Sequence, residues 1–221
     1  TQPDGTGAYF SPTFFTVGGH FSRDLTDRIA LGITSHYIVN RIERVDAAAV
    51  SFSAGLQYLN LGDIEGLDMG VVLKHIGARM EYDGSPLLRR GQIDDVRRPA
   101  ADYNIQASSA DLPSTFEIGL AYRYPGITAG DVNLHSVFRH NNFAYDQLRF
   151  GVEYIYSDML AVRGGFDYAT DEDKDTYIYG TSFGFGLETS IGGLEDVRVD
   201  YAYTNVDFFK GLNTFTFEIG F

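Results

Sequence analysis

Large apolar side chains recur at every second position through most of this chain, with small or charged residues between them. In 115–124 one face reads Phe116, Ile118, Leu120, Tyr122 and Tyr124, and the other reads Glu117, Gly119, Ala121 and Arg123. The segment 148–156 sets Leu148, Phe150, Val152, Tyr154 and Tyr156 against Arg149, Gly151 and Glu153. Segments 160–168, 177–191, 197–203 and 214–221 repeat the rule; 13–22, 29–39, 50–58 and 67–73 follow it less cleanly, and 131–139 follows it least. A period of two is the signature of strands with two unlike faces. The pattern predicts about eleven antiparallel strands and an all-β fold.

What occupies the second face separates two solvents. A soluble sandwich turns its large apolar residues inward and exposes Lys, Glu and Thr on the other side. Here the second face is Gly, Ala and Ser with isolated charges of both signs. That composition fits the inside of a transmembrane up-and-down β-barrel, where space is limited and lipid lies outside. Arg149, Glu153, Arg163, Asp167, Glu188, Arg198, Asp200 and Glu218 are then expected to form a network of paired charges in the lumen. Alternating signs on adjacent strands favour a filled or gated barrel over a plain diffusion pore.

Connections predict an orientation. Short links near 25–28, 61–66, 125–130, 157–158 and 192–194 alternate with longer, more polar ones near 41–48, 80–112, 141–146, 170–176 and 205–212. Short periplasmic turns and long external loops alternate in this way in outer-membrane barrels, which puts the carboxy terminus on the periplasmic side. Eleven strands is an odd number, whereas bacterial single-chain barrels have even ones. The reading is that amino-terminal strands are missing, with 7–10 as the alternative uncounted strand. The start at Thr1, with no charged-then-apolar leader, reads as a mature product or a fragment.

Composition narrows the classes further. The chain has 221 residues, within the range of one all-β domain spanning 1–221. Cysteine is absent, so disulfides and thiolate metal sites are ruled out. A formal charge of −13 argues against nucleic acid as a partner. No apolar run approaches the roughly 20 residues of a membrane helix. Neither a phosphate-binding Gly-rich loop, a Gly-x-Ser-x-Gly elbow nor a His-Glu-x-x-His motif is present, so no enzyme, catalytic residue or cofactor is expected.

The histidines His20, His36, His75, His135 and His140 lie on several strands without ligand spacing. Asp171, Asp173 and Asp175 form a carboxylate cluster that reads first as a solvated hairpin tip and second as a calcium site. The long loop 80–112 carries Leu87, Leu88, Arg89, Arg90, Arg97 and Arg98, candidates for docking a protein partner or capping the barrel mouth. Phe217, Ile219 and Phe221 give the aromatic and apolar ending that the barrel-assembly machinery reads.

Phe15-Thr16-Val17-Gly18-Gly19 followed by 25–34 resembles the PorV/PorQ family of outer-membrane proteins, within the broader FadL-like group. Tyr37-Ile38 with Glu43-Arg44, Gly70 through Gly77 with Met80, Leu112-Pro113 and Asp200-Tyr201-Ala202-Tyr203 extend the likeness along the chain. It covers the carboxy-terminal two-thirds of the family pattern; the third that supplies the hatch has no counterpart here. The resemblance implies a fourteen-stranded barrel in the bacterial outer membrane. It also implies a docking or shuttle role in type IX secretion, with cargo bearing a carboxy-terminal sorting domain. FadL-like uptake of hydrophobic small molecules, through a pocket lined by Phe14, Ile38 and Ile178, is an alternative. A structural envelope protein assembled laterally is another.

Overall fold

The computed structural model describes residues 11–91, 101–127, 130–170, 177–191, 194–208 and 210–220. Among these residues, eleven strands run up and down in one antiparallel sheet: β1 (Thr13–Thr26), β2 (Ile29–Ile42), β3 (Val45–Tyr58), β4 (Leu67–Gly77), β8 (Thr115–Ile127), β9 (Gly130–Asn141), β10 (Gln147–Tyr156), β11 (Leu160–Ala169), β12 (Tyr179–Ile191), β13 (Leu194–Val206) and β14 (Leu212–Gly220). Between β4 and β8 lie β5 (Asp83–Gly84), which pairs with β3, and the hairpin of β6 (Leu88–Gly91) with β7 (Ala101–Asn104). Among the described residues there is no α-helix, and no pairing closes β14 onto β1.

All eleven expected strands form, including the weakly patterned 131–139, which is the twelve-residue β9. Its neighbours explain this: Phe138 and Leu134 pair on both sides with Ile118, Tyr122, Leu148 and Val152. Tertiary pairing outweighs weak local alternation.

Two connections depart from expectation. The long loop expected at 41–48 is a two-residue turn, Glu43-Arg44, with Glu43 at φ 57°. Its polar residues belong to a tight hairpin and to the start of β3, not to a loop. Between β3 and β4 the link is longer than expected and contains a 3₁₀ turn at Leu61–Asp63. There the Asn60 side chain accepts the Gly66 N–H (2.9 Å) while the Asn60 N–H donates to Asp68 (3.0 Å). Gly66 stands at φ 80° against the Arg123 carbonyl, a place where no side chain fits. Asp63 hydrogen-bonds Arg28 and holds its guanidinium above its ordinary pKa. Strict alternation of short and long links therefore does not hold.

The chain forms two compact units. One comprises 1–22, 32–54 and 74–114; the other comprises 23–31, 55–73 and 115–221. In the second unit, register places apolar side chains in continuous rows. Phe150 pairs with Phe166, Val162 with Phe185, Phe185 with Tyr201, and Tyr201 with Phe215. The last three aromatics meet at tilted angles, with ring centroids 5.2 and 4.9 Å apart. These rows are exposed: Phe183 is 63% accessible, Val162 61% and Phe217 65%.

Candidate functional site

The polar face of β8–β14 is built by the same register that aligns the apolar rows. Arg149 lies opposite Asp167 and Glu153 opposite Arg163, so each charge meets its opposite on the next strand. Arg149 approaches Asp167 at 3.0 Å, and Arg163 reaches Glu153 at 2.6 Å. Arg163 also pairs with Asp200, two strands away. That reach depends on β12 having no side chains in the way. Gly184 faces Arg163 directly, and a Cβ on Gly186 would stand 2.9 Å from the Arg163 guanidinium.

Further along, Arg198 lies between Glu188 and Glu218 in the ladder and contacts them at 2.5 and 3.9 Å. The Asn133 amide donates to the second oxygen of Glu153 at 2.9 Å. All eight expected network residues thus stand in ion pairs. A pair absent from that expectation, Arg139 with Glu117 at 2.6 Å, is the least exposed, with the Glu117 side chain at 13%. Glu153, Arg163, Glu188, Arg198 and Asp200 line a recess of about 190 Å³. With the charges engaged by one another, its chemistry is that of a braced wall.

The first unit fills its polar face differently. On β3, Ala47, Ala49 and Ser51 alternate with exposed Asp46, Ala48, Val50 and Phe52. Met80 and Leu112, from the two ends of the segment between β4 and β8, bury themselves against Ala47 and Ala49, with Ile38 and Tyr82 packed beside them. Reciprocal 2.8 Å backbone hydrogen bonds join Met80 to Ala110, and Arg79 pairs with Asp111 at 2.6 Å. Asn40 donates to the Tyr82 hydroxyl at 3.5 Å, and Val45 pairs with Gly84 of β5. The expected loop 80–112 is thus anchored at both ends on its own unit.

Among the docking candidates, Leu88, Arg89 and Arg90 are exposed on β6, facing Asn104, Tyr103 and Asp102 of β7, while Leu87 is half-buried. Arg97, Arg98, Asp171, Asp173, Asp175 and Phe221 lie outside the described residues. Phe217 and Ile219 are exposed on the apolar side of β14. Of the three residues expected to line an apolar pocket, Ile38 packs on the Met80 cluster, Phe14 is exposed and Ile178 is half-buried. An open apolar concavity of about 370 Å³ is instead lined by residues including Leu67, Leu120, Tyr122, Leu134 and Phe150.

Two histidines without sequence spacing come together: the rings of His36 and His75 lie 5.6 Å apart. His20 hydrogen-bonds Thr34 at 2.9 Å, and His140 contacts Asp146 at 2.8 Å. Among the described residues no group of three or more His, Cys, Asp or Glu is placed to hold a metal ion. No helix there is long and apolar enough to cross a membrane, which leaves crossing by strands unaddressed. No protein-family model and no curated protein matches this chain.

Proposed function

We propose that this chain is the greater part of an outer-membrane β-barrel, and that it serves as a non-enzymatic docking component of an envelope complex. The observation that carries the reading is the exposed apolar face of β8–β14, which backs onto a face of paired charges. Leaving each large apolar side chain in water forgoes roughly 1.5–3 kcal/mol of burial. A soluble monomer rarely exposes so continuous a patch, whereas in lipid the same face is the barrel wall. Among the described residues the sheet path holds eleven strands, an odd number. Antiparallel closure of the wall therefore needs an odd number of further strands.

The docking role draws on two features. Paired charges brace the polar face instead of offering free groups to a solute, and the β6–β7 hairpin presents Leu88, Arg89, Arg90 and Tyr103 to solvent. The PorV/PorQ resemblance supplies the partner class, a secretion complex and cargo with a carboxy-terminal sorting domain. Uptake of hydrophobic molecules draws less support, because Ile38 is occupied by the Met80 cluster. The test places a photo-crosslinking residue at Arg90 or Tyr103 in cells. An envelope protein captured from both positions, and not from Glu218, is expected; capture of lipid alone, or of nothing, overturns the docking role.

A further inference from the structure

His36 on β2 and His75 on β4 bring their rings within 5.6 Å of each other, and β3 between those strands carries Ser51 and Ser53. All four residues belong to the first unit. The Cδ2 edge of the His36 ring lies against Gly18 of β1, so closely that a Cβ there would stand 2.8 Å away. Nδ1 is on the opposite edge of an imidazole, and therefore faces away from β1. In His36 that nitrogen is buried and has no hydrogen-bond partner, and neither has the buried hydroxyl of Ser51. Buried polar atoms without a partner are rare in folded proteins, and a bound water or ion is one way of satisfying them.

His75 adds an independent sign. It stands at φ 56°, in the left-handed region that a non-glycine residue seldom adopts, and its N–H donates to the Ser53 hydroxyl at 3.1 Å. Such strain collects at ligand clamps and functional sites.

We propose that His36 and His75 bind one divalent transition ion, with Zn²⁺ the ion of choice, and that water completes the coordination. Imidazole nitrogen suits Zn²⁺, Ni²⁺ and Cu²⁺ and discriminates against Ca²⁺ and Mg²⁺. Metal–nitrogen bonds of about 2.0–2.1 Å put two ligating ring centroids roughly 5–6 Å apart. The observed 5.6 Å separation lies within that range. Gly18 is the positioning residue, since any side chain there displaces the His36 ring. The site stands on the geometry of β1–β4 and does not depend on the membrane reading.

The full chain in mild detergent, titrated calorimetrically with Zn²⁺ alone, tests this. One ion per chain is expected, with affinity weakened at least tenfold in H36Q and in H75Q separately. G18A should weaken binding while keeping both ligands, and H135Q and H140Q should leave it unchanged. Affinity unaltered by H36Q or H75Q, or lost equally in H135Q, overturns the site. Should a variant fail to fold, the unmodified protein decides by diethyl pyrocarbonate labelling. Protection of His36 and His75 by Zn²⁺, with His135 unprotected, supports the site; uniform protection or none refutes it.

Discussion

The polar faces of the two units solve the same problem with different materials. In the unit containing 32–54 and 74–114, small residues Ala47, Ala49 and Ser51 leave room, and the chain folds Met80 and Leu112 back into it. Across β8–β14, arginines span the room themselves, and Arg163 passes over glycines at 184 and 186 to reach a carboxylate two strands away. Strand architecture alone does not decide what fills the polar side. Side-chain volume at alternate positions does, because a pleated face lined by alanine must be packed by something else. One face is held by apolar burial and the other by charge, so the two should respond to different perturbations.

Met80→Ala should produce the largest effect. Truncating a buried Met costs roughly 2–5 kcal/mol. The loss should appear as faster hydrogen exchange and proteolysis between Ala78 and Ser114, with β8–β14 unaltered; equal loosening of both units would erase the distinction. Next comes the contrast between the two sides of β12. On the proposed membrane wall, Phe183→Arg should cost roughly 2–4 kcal/mol and impair heat-modifiable gel mobility. Ser182→Arg, set among Gly165, Gly180 and Gly184, should assemble normally. Gly184 itself is a poor site for this test, since a Cβ there would stand 2.9 Å from the Tyr201 carbonyl.

Smaller still is Arg163→Met, which removes the cation from Asp200 and leaves Glu153 with the Asn133 amide alone. Unsatisfied groups of this kind cost about 1–3 kcal/mol, and partial exposure puts this case at the low end. The triple change with E153Q and D200N should recover most of the loss in denaturant titrations; no recovery would mean that charge is not what holds that face. The mildest prediction is Phe215→Ala, losing one aromatic contact of about 0.5–1.5 kcal/mol, again read from the unfolding midpoint.

Much of this was legible in the sequence where period two is clean. The faces of β8 and β10–β14 follow from alternation, and charges on one face of adjacent strands pair once register is set, as Arg149 with Asp167 and Glu188 with Arg198 do. Arg139 with Glu117 escaped because 131–139 alternates weakly, and its place on β9 is set by neighbours. Met80 and Leu112 were hidden inside a polar stretch, with their seat at Ala47 lying in a segment that reads as a loop. The His36–His75 contact depends on reach across β3 and on a left-handed residue, and neither leaves a spacing signal.

The central claim is that one face of the sheet meets lipid and the other does not. The chain has no cysteine, so single-cysteine spin labels can be placed at Phe150, Phe183 and Phe217 and at their neighbours Gly151, Ser182 and Thr216 without background. In liposomes, the first three labels should collide with dissolved oxygen and be shielded from a water-soluble nickel chelate, and the second three should not share that lipid exposure. Equal access of the nickel chelate to all six labels, with no alternation along the strands, would contradict the membrane wall and the docking role built on it.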